Sequence, residues 1–302
     1  MEQETLTKFE YDVKKVLLYY EIFNYPLKIE ELFLLYSQRI SFDKFISQLN
    51  EITLKNKIKN KNGFIFLKAE ISINKRLEGE KRAIRLLKIA KVMSRIISWF
   101  PFVRGIFLTG EISKNISSID GDIDFMIVTK ENRVWVCRTF LILFKKLFLF
   151  NSKKYFCLNY FVSENHFKFK EQNMFFATEI VYLKPMYNLN LLFKYWNENE
   201  WIKNFYPNFE HTKITFPNTI ERQSLVQRVF EFILLNFILN YLEKYFFAKT
   251  KKYFGKKYSN LGSDIVSKIF KSTPFESRAF VGNFEDKVLS LYNQKLSEHN
   301  IL

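Results

Sequence analysis

The sequence predicts an α+β protein in three parts: three helices and a hairpin over residues 1–70, a mixed sheet flanked by helices over 71–185, and a helical C-terminal domain over 186–302. Three observations carry that expectation. Apolar residues recur at helical spacing three times before residue 54, and two extended arms then meet at Asn62-Gly63. Two apolar runs, Val103–Leu108 and Asp122–Val128, read as strands around a polar, glycine-bearing turn. From about Pro185 onward the periodicity is helical, over Leu189–Trp196, Ile220–Phe247 and Phe284–Leu296. The 302 residues are enough for about two domains. With 48% hydrophobic and 26% charged residues and only 14 Gly and Pro together, a disordered, collagen-like or low-complexity chain is excluded.

The first helices are marked by Val13, Val16, Leu17, Tyr20 and Phe23, by Ile29, Leu32, Phe33 and Tyr36, and by Phe42, Phe45, Ile46, Leu49 and Ile52. Pro26 separates the first two, and Ser41 is placed to cap the third. Three helices followed by a hairpin make a winged helix-turn-helix pattern, with the third helix for recognition and the hairpin as wing. Lys55, Lys57 and Lys59 alternate and Lys61 sits at the tip, so as a strand they offer phosphates a row of charge. The same lysines equally suit a docking module whose edge is protected from aggregation.

A net charge of +16 and a pI near 9.5 invite a polyanionic partner, nucleic acid included. A Lys-, Asn-, Ile-, Phe- and Tyr-rich composition also arises when a coding genome favours A and T. Cys137 and Cys157 build no disulfide framework, and His166, His211 and His299 have no metal-ligand spacing. Free thiols and a polar, acidic opening segment fit a cytoplasmic protein with no signal peptide. The apolar stretches Phe140–Phe150 and Val229–Phe247 hold too many polar groups for a membrane span, so they read as buried or amphipathic helices.

A long helix is expected from Ile73 to Trp99, ended by Pro101. Three of the eight glycines, Gly105, Gly110 and Gly121, fall in the next segment. In the strand Asp122–Val128 the side chains alternate: Ile123, Phe125 and Ile127 face a core, while Asp122 and Asp124 stand side by side on the other face. Two such carboxylates repel unless a cation lies between them, and Mg²⁺ is the obvious candidate because it takes a few carboxylates together with phosphate oxygens. Asp120, before Gly121, reads as a turn former.

A strand, a glycine turn, a short spacer and then Asp-h-Asp-h, where h is apolar, resembles the polymerase-β-like nucleotidyltransferase superfamily. Here the elements are Gly110-Glu111, ten residues (112–121) and Asp122-Ile123-Asp124-Phe125. Pro101-Phe-Val-Arg104, Arg133-Val-Trp-Val-Cys-Arg138, Cys157-Leu-Asn-Tyr-Phe-Val162, Phe176-Ala-Thr-Glu179, Glu200-Trp-Ile202 and Tyr206-Pro-Asn208 resemble a group of uncharacterised bacterial proteins. In that group a winged helix precedes a nucleotidyltransferase domain and a helical tail, and the likeness covers most of residues 10–300. It implies Mg²⁺-dependent transfer of a nucleotide from a nucleoside triphosphate to a hydroxyl, releasing pyrophosphate. It implies Asp122 and Asp124 as metal ligands and Gly110 as the point of close approach to the triphosphate. Ser113 and Lys114 would contact phosphate, and Arg104 or Arg138 could neutralise it.

Two departures stand out. The superfamily has Ser or Gly where this chain has Glu111, and a carboxylate there would repel a triphosphate by about 1 kcal/mol at about 4 Å, unless it turned outward or bound metal. A third carboxylate is expected on a later strand, where this chain has Asn159, which is no base; Glu164 or Glu179 are the substitutes. These departures support an alternative, a catalytically degenerate member acting as a DNA- or protein-binding regulator. In the C-terminal part, Lys244, Lys249, Lys251, Lys252, Lys256 and Lys257 lie within 14 residues free of acids. That run suits an anionic substrate or RNA, or simply a solvated loop after a helix.

Overall fold

The computed structural model describes residues 7–301 apart from 56, 69–71, 215, 217–218, 235, 263–264, 267–268 and 280–283; the opening segment before Thr7 lies outside them. Helix α1 (Lys8–Glu21) starts at Thr7, whose hydroxyl oxygen accepts from the Glu10 N–H at 3.2 Å. Strand β1 (Leu27–Lys28) leads into α2 (Ile29–Leu34), and Ser41 caps α3 (Phe42–Leu54), as its position in the sequence predicts. Strands β2 (Lys59–Lys61) and β3 (Phe64–Phe66) form the hairpin. Asn62 at φ 54° and Gly63 at φ 78° supply the two left-handed residues that the tight turn needs. β3 lies between β1 and β2. β1 is two residues long, too short for any periodicity to announce it.

Helix α4 (Ile73–Ile97) then reaches the central sheet. Its strands are β4 (Val103–Thr109), β5 (Asp124–Thr129), β6 (Cys157–Ser163), β7 (Lys184–Tyr187), β8 (Phe270–Thr273) and β9 (Glu276–Ala279), in the order β7-β4-β5-β6-β9-β8. Among these strands only β5 and β6 pair in parallel, joined by α6 (Val134–Phe148), after the single-turn α5 (Gly110–Ser113) that follows β4. The sheet is therefore mixed and flanked by helices. One face, with Ile106, Leu108, Phe125 and Ile127, packs on α4 and α6. The other, with Phe107, Met126, Val128 and Tyr160, packs on α7 (Met174–Val181), α8 (Leu189–Glu198) and the N-terminal unit, in one apolar cluster from Phe9 to Val288.

Residues 186–302 depart from the all-helical expectation. β8 and β9 extend the sheet beyond β6, so strands come from both sides of residue 186. Their stretch, with Lys271, Ser272, Thr273, Glu276, Ser277 and Arg278, lacks the apolar alternation that marks a strand, so only the sheet partner reveals it. The expected helix Ile220–Phe247 is two, α9 (Leu225–Ile233) and α10 (Asn236–Lys257), bent by 97° at their junction. Among the described residues no single helix is long and apolar enough to cross a membrane. Helix α11 (Phe284–Glu298) closes on α1, where Lys295 meets Glu21 at 2.6 Å.

The N-terminal unit is fastened to the rest by polar groups. The Asn208 amide donates to the carbonyls of Phe33, Tyr36 and Gln38 and accepts from the Ile40 N–H at 3.1 Å, gripping the α2–α3 linker. Arg76, buried in α4, lies 3.8 Å from the Tyr25 ring centre and binds Glu31, Glu80 and the Pro26 carbonyl. Asn208→Ala strands those linker groups, and should cost about 2–3 kcal/mol of stability in urea unfolding.

Candidate active site

The site grows from the start of β5. Ile123 donates to the Lys154 carbonyl at 2.9 Å and accepts from the Cys157 N–H at 3.0 Å, so the chain is extended before the strand proper begins. Ile123, Phe125 and Ile127 are all fully buried on one face. A period of two then sends Asp122 and Asp124 to the other face. Carboxylate oxygens of both and the Cys157 sulfur lie within 4.8 Å of one another, the metal-capable cluster found among the described residues.

Burial pushes Asp124 up from 3.8 to about 7, and the charge of Asp122 beside it adds to the rise. Asp124 pairs across the sheet with Thr109, so the turn after β4 is brought against it. Gly110 there has φ 68°, and a Cβ on it would lie 2.7 Å from Asp124 Oδ2. Glycine is required on both counts, backbone conformation and space.

Asn159 sits where a β-bulge interrupts the β5–β6 register, between Leu158 opposite Phe125 and Tyr160 opposite Met126. The bulge aims it at the site. Its amide donates to Asp124 Oδ1, and the Cys157 thiol donates to its oxygen at 3.1 Å. Burial and the two aspartates hold the Cys157 thiol far above its usual range. Sequence reasoning left Cys157 as a spare thiol; only the parallel register of β6 against β5 sets it opposite Asp124.

The other candidates divide. Glu111 turns outward: its Oε2 accepts from the Ser118 N–H at 2.6 Å and braces the loop that ends in the turn at Gly121. Ser113 is buried, its hydroxyl donating to the Gly110 carbonyl at 2.8 Å. Lys114 binds Glu179 at 2.7 Å and the Gly110 carbonyl at 3.3 Å, so Glu179 of α7 comes to the site. Glu164 does not. Its N–H bonds Thr129, at the far end of β5 and roughly 17 Å along the strand from Asp124 at about 3.3 Å per residue. Arg104 is held by Glu231, two contacts of 2.8 Å, and Arg138 lies over the rings of Trp135 and Phe254 on the opposite face of the sheet. Exposed Asp120 stays in its loop. Lys145 of α6 is buried, its ammonium pulled down by that burial, an effect partly offset by the nearby Asp122 charge.

A cavity of about 230 Å³ opens beside Asp124, bounded by Gly110, Asn159, Glu179, Tyr160, Phe176 and Tyr195. A second, of about 200 Å³, lies against Lys114 and Glu179 under Tyr20, Phe23 and Tyr25 of the N-terminal unit. The Tyr25 hydroxyl donates to the Lys114 carbonyl at 3.1 Å, so that unit also sets the loop. A larger cavity, about 570 Å³ near Phe254 and Phe270, has none of the candidate acids in its lining. The donors fit a divalent cation: two carboxylate oxygens suit Mg²⁺, and the thiol adds a ligand for softer ions such as Zn²⁺.

Of the hairpin lysines, Lys57 binds Glu10 at 2.9 Å and Lys55 binds Glu51 at 2.6 Å, while Lys59 and Lys61 stand exposed on β2. The run Lys244 to Lys257 is helical, the second half of α10, and exposed rather than a loop. No family model, no curated protein and no solved structure matches the chain.

Two outcomes follow from this geometry. Between pH 4 and 7 the folded chain keeps a proton on Asp124 that the unfolded chain has released, so stability falls as pH rises, by up to about 1.4 kcal/mol per unit. Calorimetry in metal-free buffer should show the melting temperature dropping from pH 5 to pH 7.5, with Mn²⁺ restoring it at pH 7.5 only; Asp124→Asn should flatten the slope. Gly110→Ala should cost about 1–3 kcal/mol from strain alone, as should Gly63→Ala, which has a similar φ and open space around it. Only the Gly110 variant should also weaken Mn²⁺ binding in titration calorimetry.

Proposed function

We propose that this chain is a divalent-metal-dependent nucleotidyltransferase of the polymerase-β-like superfamily, moving a nucleoside monophosphate from a nucleoside triphosphate to a hydroxyl. The observation that carries the reading is the pair Asp122 and Asp124, side by side beside the left-handed Gly110. Asp122 and Asp124 would hold the cation, Mg²⁺ by their oxygens, and the cation when bound supplies positive charge to the triphosphate. In the transfer the acceptor oxygen bonds the α-phosphorus, the bond to the bridging oxygen breaks, and pyrophosphate leaves with that electron pair.

Glu179 is the carboxylate suited to take the acceptor's proton, because it borders the same cavity as Asp124. Lys114 beside it supplies a positive charge near the triphosphate. The order α1-β1-α2-α3-β2-β3 supports a winged helix for the N-terminal unit. The charges of α3, Asp43, Lys44 and Glu51, sum to a net negative helix, which favours a docking role over DNA reading.

A second reading draws on Asn159: an amide occupies the position of the expected third carboxylate, as in a member that binds nucleotide without chemistry and acts as a regulator. Titration calorimetry of ATP, GTP, CTP and UTP tests the nucleotide site that both readings need, and release of pyrophosphate on turnover separates them. At least one triphosphate should bind only with Mg²⁺ or Mn²⁺, and Asp122→Asn should weaken it about a hundredfold. Absence of binding by all four with either metal would exclude the transferase.

A further inference from the structure

Helix α9 is built inside out, and α10 buries Leu239 in the core while leaving other apolar side chains of its first turns outside. A surface helix normally turns its apolar side to the core. In α9 the inward residues are polar: Gln227 is fully buried and its amide donates to the Val103 carbonyl, while Glu231 accepts from the Phe102 N–H at 2.6 Å and binds Arg104. Val229, Phe230, Phe232 and Ile233 face outward, with Phe232 at 89% exposure. In the first turns of α10, Phe237 is 80% exposed and Tyr241 69%. The acid of that helix, Glu243, is buried and accepts from the Trp135 and Val136 N–H groups at 2.8 Å each, holding the start of α6.

The apolar surface does not stop at these helices. A groove of about 520 Å³ between α6 and α9, bordered by Trp99, Leu143, Leu147 and Phe148, continues it. Each of these four side chains is 44% or more exposed. So large a contiguous apolar face on a chain in water marks a contact surface.

Its charge selects the partner. Between Arg222 and Lys257 the only acids are Glu231 and Glu243, both turned inward and bonded. The outer surface there carries Arg222, Arg228, Lys244, Lys249, Lys251 and Lys252 with no exposed acid among them. An apolar face bordered by unopposed cations, with Trp99 and Tyr241 at partial exposure, has the composition of a segment lying in the headgroup boundary of an anionic bilayer. α9 and α10 together are apolar enough to cross a membrane, but the 97° bend between them suits lying on one.

We infer that this face docks the protein on anionic lipid bilayers, α9 and the first turns of α10 entering the acyl boundary while the lysines of α10 bind headgroups. The inference is independent of the reaction at Asp122 and Asp124. Flotation of the full chain with vesicles tests it, pure phosphatidylcholine against phosphatidylcholine with about one-third phosphatidylglycerol. The chain should float with the anionic vesicles, release in high salt, and show a blue-shifted tryptophan emission when bound. Phe232→Glu with Phe237→Glu should reduce flotation about tenfold; circular dichroism checks that the doubly substituted chain stays folded. Failure of the unaltered chain to float at low salt overturns the proposal. So does a lipid-indifferent dimer that the two substitutions convert to monomer, which would make the face an interface between copies.

Discussion

The candidate site depends on one constraint: an extended chain alternates, so burying Ile123, Phe125 and Ile127 forces two carboxylates together on the reverse face. The backbone of β5 is fixed from Asp124 onward by its pairing with β4 and β6. The cost of that proximity appears in Asp124, held near neutrality by burial and by its neighbour. A cation bound between the two carboxylates would relieve that repulsion directly. Gly110 completes the arrangement, because any side chain there would run into the Asp124 carboxylate.

What was legible in the sequence is what local periodicity and turn chemistry encode. The Asn62-Gly63 turn, the Ser41 cap and the α4 helix are local features, and so is the alternation that pairs the aspartates. Long-range register is not encoded locally. Asn159 reaches Asp124 only because a bulge falls between Leu158 and Tyr160, and Cys157 arrives through the same pairing. Glu164 reads as close to Asn159 in sequence, yet the strand carries it to the other end of the sheet. Nothing in the local sequence marks Lys145 for burial, which follows from how α6 packs. Helical periodicity in α9 shows that two faces differ, but only the contacts of Gln227 and Glu231 show which face turns inward.

The N-terminal unit is part of the site rather than an appendage. Arg76 stacks on Tyr25, Tyr25 bonds the Lys114 carbonyl, and Lys114 binds Glu179, one continuous chain of contacts from α4 to α7. The aromatic side chains of Tyr20 and Phe23 wall the cavity under which Lys114 lies. Two of the four hairpin-region lysines, Lys57 and Lys55, are engaged with Glu10 of α1 and Glu51 of α3, while Lys59 and Lys61 stand exposed. A ligand in the second cavity, against Lys114 and Glu179, would meet this unit as a wall, so its binding would be felt in the docking of α1 and of Tyr25.

Asn159 bears on how much positive charge the site can hold. Asp122 and Asp124 together carry two negative charges when ionised, enough to balance one divalent cation, and a neutral amide at 159 adds none. The amide also donates to Asp124 Oδ1, so a cation approaching that carboxylate finds one oxygen engaged and the other, Oδ2, facing the space beside Gly110. Were a single divalent cation held here, Asp122 and Asp124 would supply the charge to balance it and their oxygens the ligands. A second ion there would need a further anionic donor. Glu179 can serve only if it leaves Lys114, which ties the occupancy of the site to the breaking of one ion pair at 2.7 Å.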